Sequence, residues 1–415
     1  MARSAHREAV GYFEQALNAL AYLQETRDTC EQDIDLRLAL RTMLSALGEH
    51  EQLFIHLQHA ASLAEALEDQ QRLGQVSALM GWYFRVQGDY DRSVASCQRA
   101  LAIAEALGDG ALRVMPQYFL GTTYHDLGDY RRAIDLLRRN LVFLEGELRY
   151  AYFGIGTPPS ITSRTNLVSC LAELGEFAEA MAHSDEGLRI AEAVAHPGSF
   201  IFAYQGIGQL YLRKGDFHKA ISALERSLAL CQEANFLYLF CYAASTLGAA
   251  YTQAERVTEA LPLLEQAVQQ ATTMKIQAGQ SRRMASLGEA MLLAGRLEEA
   301  PALAERALVH AREYQERGNE AWILRLLGEI AAQRESPASD QAGVYYRQAL
   351  GLADELGMCP LQAHCHRGLG MLYAATGQQE QAHTELSTAI EMYQSMDMTF
   401  WLPQTEAALA RVEGR

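Results

Sequence analysis

Gly208-Gln-Leu-Tyr-Leu-Arg-Lys-Gly215-Asp-Phe-His-Lys-Ala220 is the stretch that decides the fold. Its two glycines stand 7 residues apart, an acid and an aromatic follow the second, and an alanine lies 12 residues after the first. The same order recurs in Gly121-Thr-Thr-Tyr-His-Asp-Leu-Gly128-Asp-Tyr-Arg-Arg-Ala133. Gly81, Gly121, Gly208, Gly248, Gly288 and Gly370 recur at steps of 40 residues or near multiples of 40, each with a small residue 12 later: Ser93, Ala133, Ala220, Ala260, Ala300 and Ala382. A fixed period of this length predicts stacked helical units, none of which buries its apolar face alone.

Aligning the turns places nine units, with turns at Gly48, Gly88, Gly128, Gly175, Gly215, Glu255, Gly295, Pro337 and Gly377. Each unit is expected to be a helix A, a short turn and a helix B. The helix A glycine and the small residue 12 later are expected to face each other where the two helices cross. Turn glycines suit the end of helix A, and Asp89, Asp129 and Asp216 suit the start of helix B. Two places break the pattern. Extra residues from Glu145 to Pro159 form an aromatic-rich, Gly/Pro-interrupted insertion, expected as a loop over 145–163, with Tyr150, Tyr152 and Phe153 as candidate contact residues. Glu335-Ser336-Pro337-Ala338-Ser339-Asp340 lengthens one turn inside a unit.

A solenoid also explains how 415 residues carry no visible domain break, because its core grows along one axis. The formal charge of −16 opposes nucleic acid or an anionic membrane as principal partner. Seven cysteines, an odd number set mostly in apolar helical positions, predict free thiols in a reducing compartment. The longest charge-free run, Asn235 to Ala254, contains Ser245, Thr246 and Thr252 and predicts a helix packed on several sides, not a membrane span. A cytoplasmic location is expected.

The coincident columns in Gly208-x-x-Tyr211…Gly215-Asp216-Phe217-x-x-Ala220 resemble the tetratricopeptide repeat, in its longer form. The resemblance implies an all-α, right-handed superhelical solenoid of antiparallel helix pairs over residues 1–415: about nine units, a leading helix and a capping helix. Ala9, Ala16 and Leu17 fit helix B columns, so Arg7–Leu23 is expected to be the second helix of a unit whose first helix precedes residue 1; residues 1–25 then form part of a truncated unit. Residues 398–412, led by Phe400, Trp401 and Leu402, are expected to cap the other end.

No P-loop, no HExxH and no dinucleotide fingerprint is present. Cys359 and His364-Cys365-His366 form the densest metal-like cluster, but neighbouring residues on a helix diverge by about 100°, and a buried thiol between two histidines is the favoured reading. No catalytic residue, metal site or cofactor is expected. The resemblance implies instead a concave groove lined at positions −3, +1 and +5 from the helix A glycine. In this chain those positions and their neighbours supply Tyr118, His125, Asp126, Gln205, Gln209, Arg213, Arg282, Glu289, Arg325, Glu329 and Arg367. This polar, mixed-charge lining suits a protein or peptide partner or a small effector; Arg325 and Glu329 would also form an ordinary i,i+4 pair.

Whole segments, including Leu171-Ala-Glu-Leu-Gly-Glu-Phe-Ala-Glu-Ala180 and Thr399-Phe-Trp-Leu-Pro-Gln-Thr405, are similar to the C-terminal repeats of bacterial proteins that join a class III nucleotide cyclase and a STAND-type ATPase to such repeats. That similarity implies the sensor part of a larger signalling protein, with an ATPase/cyclase module before it. The competing expectation is a structural spacer or oligomerisation arm that acts through its ends and convex face.

Overall fold

The computed structural model describes residues 2–333 and 339–414. Among the described residues every regular element is helical. In chain order they are α1 (Ala2–Leu20), α2 (Arg27–Leu47), α3 (His50–Ala66), α4 (Gln70–Val86), α5 (Tyr90–Leu107), α6 (Val114–Leu127) and α7 (Tyr130–Phe143). A short 3-10 helix (Gly146–Tyr150) precedes α8 (Pro159–Leu174), α9 (Phe177–Val194), α10 (Pro197–Lys214), α11 (Phe217–Glu233), α12 (Leu237–Gln253) and α13 (Val257–Thr273). Then follow α14 (Gln280–Leu293), α15 (Glu299–Glu313), α16 (Arg317–Ala332), α17 (Ser339–Leu356), α18 (Cys359–Ala375), α19 (Gln379–Ser395) and α20 (Leu402–Val412). Even-numbered helices are the A helices and stack side by side; odd-numbered ones are the B helices. The turn expected at Pro337 lies outside the described residues.

Three boundaries differ from expectation. Helix α1 spans Ala2–Leu20 instead of Arg7–Leu23. Helix α8 begins at Pro159, inside the expected 145–163 loop, because proline at the first helical position sacrifices no hydrogen bond and already has a helical φ. Helix α20 begins at Leu402, with Trp401 before it folded onto the core.

Within each unit the small columns work by close approach, with one correction. The side chain above the helix A glycine belongs mainly to the residue 16 later, not 12. A Cβ on Gly121 would sit 2.9 Å from Leu137 Cγ, on Gly248 2.5 Å from Leu264 Cγ, and on Gly370 2.6 Å from Leu386 Cγ. The residue at +12 is buried beside that contact: Ala133, Ala220, Ala260, Ala300 and Ala382 are fully inaccessible. Ser93 there donates to the Gly81 carbonyl at 2.8 Å. The acids after the turns are N-caps as expected. Asp89, Asp129 and Asp216 accept from the backbone N–H of Arg92, Arg132 and Lys219 at 3.1, 3.3 and 3.2 Å.

The solenoid closes on itself every five units. Helix α2 meets α12, α6 meets α16, and α8 meets α18. The turn glycines of the first five units form this seam. Gly48 packs on Met274, Gly88 on Tyr314, Gly128 on Gly318 and Leu356, Gly175 on Met396 and Pro360, and Gly215 on Phe400 and Trp401. The N–H groups of Gln277 and Ala278 donate across it to the Val86 carbonyl at 3.0 and 3.3 Å. The aromatic after each acid lies in the same seam. The Tyr90 hydroxyl donates to Glu316 at 2.8 Å, and Phe217 packs edge-on against Phe400 and Trp401 at 4.7 and 5.8 Å. Glu316 is fully buried and also accepts from Gly279 N–H at 2.9 Å, from Ser281 and from Asn319 at 3.0 Å, which satisfies its charge. In later units Gly295 and Gly377 have nothing within 4 Å of a Cβ position.

Candidate functional site

Closure of the second superhelical turn encloses a cavity of about 550 Å³ between α10, α12, α14, α16, α18 and the residues leading into α20. Five of the predicted groove residues line it: Arg213, Glu289, Arg325, Glu329 and Arg367. They meet because −3, +1 and +5 lie on one face of successive A helices, and those helices stand side by side. A smaller recess of about 80 Å³, sharing Arg213 and Arg325, adds Gln209 and Arg282. The Arg282 guanidinium lies 5.0 Å from the Tyr242 ring centre.

Charge in the cavity is almost fully paired. Arg213 contacts Glu173 at 2.7 Å and lies 4.1 Å above the Trp322 ring; the Trp322 indole N–H donates to the other oxygen of Glu173 at 2.9 Å. Arg325 bridges Glu289 at 2.6 Å and Glu329 at 2.5 Å. Burial opposes the Arg325 charge, but Glu329 and Glu289 more than offset it and hold the guanidinium protonated. Burial also raises the Glu329 carboxyl above the usual range, against the pull of Arg325. The i,i+4 pair, which an ordinary solvated face would also have explained, is half of a half-buried triad. Arg367 differs: its terminal nitrogen donates to Gln404 at 3.0 Å, its Nε is buried without a partner, and no carboxylate lies within ion-pairing distance among the described residues. His364 Nδ1 and the Tyr393 hydroxyl share a hydrogen bond of 2.8 Å, and the imidazole meets Trp401 edge-on at 4.6 Å. Burial, reinforced by Arg325, Arg367 and Arg213, holds its imidazole neutral.

The remaining predicted residues lie elsewhere. Gln205 is buried and donates to Thr246 at 2.7 Å, so it ties α10 to α12 instead of facing the cavity. His125 and Asp126 line a narrow gap of about 20 Å³, where Asp126 pairs with Arg85 at 2.7 Å. Burial opposes ionisation of Asp126, but Arg85 and His125 keep its carboxyl below the ordinary value. Tyr118 packs against Phe119 and lines none of these spaces, lying about two helical turns before His125 on the same helix. In the insertion, Tyr150 and Tyr152 are about two-fifths exposed, whereas Phe153 turns inward toward α2, α4 and α6.

Trp322, His364 and Trp401 were missed. Trp322 and His364 sit at −6 from Gly328 and Gly370, a column that the −3, +1, +5 rule omits. One further helical turn back along the same face would have found both. Cys365, between two histidines, is fully buried; His366 pairs with Glu385 at 2.6 Å on another face.

Family models described as tetratricopeptide repeat match residues 77–141, 154–233 and 241–269. The chain is a tetratricopeptide-repeat protein. Among solved structures, a Rap protein complexed with Competence and Sporulation Factor is similar over 85% of this chain and 99% of that one, at 14% identity and a TM-score of 0.64. The apo form of the quorum sensor NprR from B. thuringiensis is similar over 85% of this chain and 97% of that one, at 14% identity and a TM-score of 0.51. A STAND protein with a tetratricopeptide repeat sensor from Pyrococcus horikoshii is similar over 92% of this chain and 55% of that one, at 12% identity and a TM-score of 0.48. The likenesses to the Rap protein and to NprR establish the fold, and as a tetratricopeptide-repeat solenoid the chain has the architecture of a binding scaffold. A search of curated proteins returned no match. Among the described residues no helix is long and apolar enough to cross a membrane.

Proposed function

We propose that this tetratricopeptide-repeat protein is a non-catalytic, cytoplasmic regulatory scaffold that binds a protein segment or small effector in the cavity of its second superhelical turn. One observation carries the reading: polar positions from α10, α14, α16 and α18 converge with Trp322 and Trp401 on a single space of about 550 Å³. That volume falls within the roughly 300–1,000 Å³ of small-ligand sites. The aromatic faces would take an apolar side chain. Arg367, whose charge has no carboxylate beside it, would take an anionic group. The half-buried triad around Arg325 supplies both signs of charge for a ligand that carries both, as a peptide does. A Rap protein of the same fold is complexed with Competence and Sporulation Factor; for this chain the ligand class is inferred from its own cavity. The quoted segment similarities support an ATPase/cyclase module in a parent protein as the output that binding would govern.

Of the three tryptophans, Trp322 and Trp401 line the cavity, so indole fluorescence reports on it. Short peptides and small polar effectors would be screened by fluorescence and thermal shift, then titrated against the native chain and Arg367→Glu. The reading expects a ligand that perturbs the indoles and loses about tenfold or more in affinity in the variant, the worth of one charge-assisted hydrogen bond. Failure to find such a ligand, together with a stable dimer in sedimentation, would favour the spacer role.

A further inference from the structure

The first superhelical turn has a chamber of its own, of about 280 Å³, which shares no lining residue with the cavity described above. Its walls come from three A helices and combine apolar side chains, Leu38, Leu79 and Met115 among them, with Gln71 and Gln75 of α4; Phe153 and Ile155 of the insertion line one side. Phe153 holds a positive φ of 48° and Gly154 one of 78°. That backbone turn brings the Gly154 carbonyl to Arg41, whose terminal nitrogen donates to it at 3.2 Å.

Arg41 is the anomaly of the chamber. It projects from α2 into the space, and no carboxylate of the described residues ion-pairs with it. Asp109 also lines the chamber, but its Oδ1 is committed to the N–H groups of Ala111 and Leu112 at 2.9 and 3.0 Å. Crowding by protein lowers the Arg41 pKa to about 10. Arg41 is half-buried, and its hydrogen-bond partner among the described residues is the single carbonyl of Gly154, which leaves the rest of the guanidinium fork open to a ligand.

We propose that this chamber is a second ligand site, which takes a small monocarboxylate with an apolar body. The guanidinium fork matches a carboxylate through paired hydrogen bonds. With Asp109 also in the wall, the single negative charge of a monocarboxylate is better tolerated beside Arg41 than the two of a phosphate. An apolar cavity of about 150 Å³ holds benzene, so this chamber has room for a body of about twice that size. Phe153 and Ile155 cover the bound body, and the Arg41–Gly154 bond is exchanged for the carboxylate.

The test is isothermal titration of the whole chain with octanoate and 3-phenylpropionate, against 1-octanol and octylamine as neutral and cationic counterparts. The carboxylates should bind about tenfold or more tightly than either counterpart, the scale of one charge-assisted pair. Arg41→Gln should abolish that preference and Arg41→Lys should keep part of it. Leu79→Trp, which fills the chamber, should block binding, and Arg367→Glu should leave it unchanged, which separates this site from the larger cavity. Circular dichroism of each variant confirms folding. Equal affinity for octanoate and octanol, or binding that survives both Arg41→Gln and Leu79→Trp, overturns the proposal.

Discussion

Gly88→Ala tests whether the two superhelical turns are in contact. Gly88 has φ +76°, and a Cβ there would lie 2.5 Å from Cε1 of Tyr314, five units further along. Gly377 has the same φ of +76° but nothing within 4 Å of its Cβ position. Both alanine variants incur the left-handed backbone penalty of about 1–2 kcal/mol. Only Gly88→Ala adds overpacking, about 1–3 kcal/mol, since the Tyr314 ring must move and the seam must open. The difference between the variants isolates the seam. Amide exchange at Gln277, whose N–H bonds to the Val86 carbonyl across the seam, is the direct readout. At tenfold per 1.4 kcal/mol, Gly88→Ala should speed that exchange by about 5- to 150-fold, while Gly377→Ala leaves it unchanged. A linear array with neighbour contacts alone would give the two variants equal losses of stability and no change at Gln277. That result would falsify the closure every five units.

Removing Arg325 should be far more damaging than removing Arg367. Arg325→Ala strands the half-buried Glu289 and Glu329 and should cost about 1.5–3 kcal/mol; Arg367→Gln should change urea stability by less than about 1 kcal/mol. His50 is buried with both nitrogens unpartnered, and burial lowers its pKa to about 4, below the unfolded value. Its contribution is therefore complete above about pH 6.5 and is lost as pH falls toward 4, by about 3 kcal/mol at most. Urea titrations at pH 7 and 5 should show a smaller difference for His50→Phe than for the native chain; an unchanged difference would refute this. Burial pushes the Cys97, Cys231 and Cys365 thiols up to about 12 and Cys241 to about 11, and raises Cys170 well above the ordinary value. Ellman's reagent should therefore label only Cys30 and Cys359 readily in the native chain and all seven thiols in denaturant. Rapid labelling of five in the native state would contradict the core described above.

Much of the architecture was legible because it is local. The helix A glycines, the buried alanines 12 later and the aspartate caps are set by contacts within one helix pair, and each repeats in the sequence. The groove positions were legible in part. Arg325 and Arg367 share the −3 column and meet Arg213, a +5 residue, in one cavity, whereas Gln205 occupies that same −3 column and is turned into a helix–helix contact by Thr246. Trp401 was expected to cap the last unit, but it also forms a cavity wall and covers Gly215.

By itself the sequence determined the helix pairs, their period and the face each helix turns inward, since these depend on residues fewer than about 40 apart. The tertiary structure alone decided what the Gly-acid-aromatic turns are for. They occur at Gly88, Gly128, Gly175 and Gly215, with Gly48-Glu49-His50 a variant, and these are the units that have another turn of the superhelix to pack against. The pitch that creates this neighbour is the sum of small rotations over five units. No local pattern records that sum, yet it shapes the cavity, pairs Tyr90 with Glu316 and leaves Arg367 with no carboxylate within ion-pairing distance among the described residues.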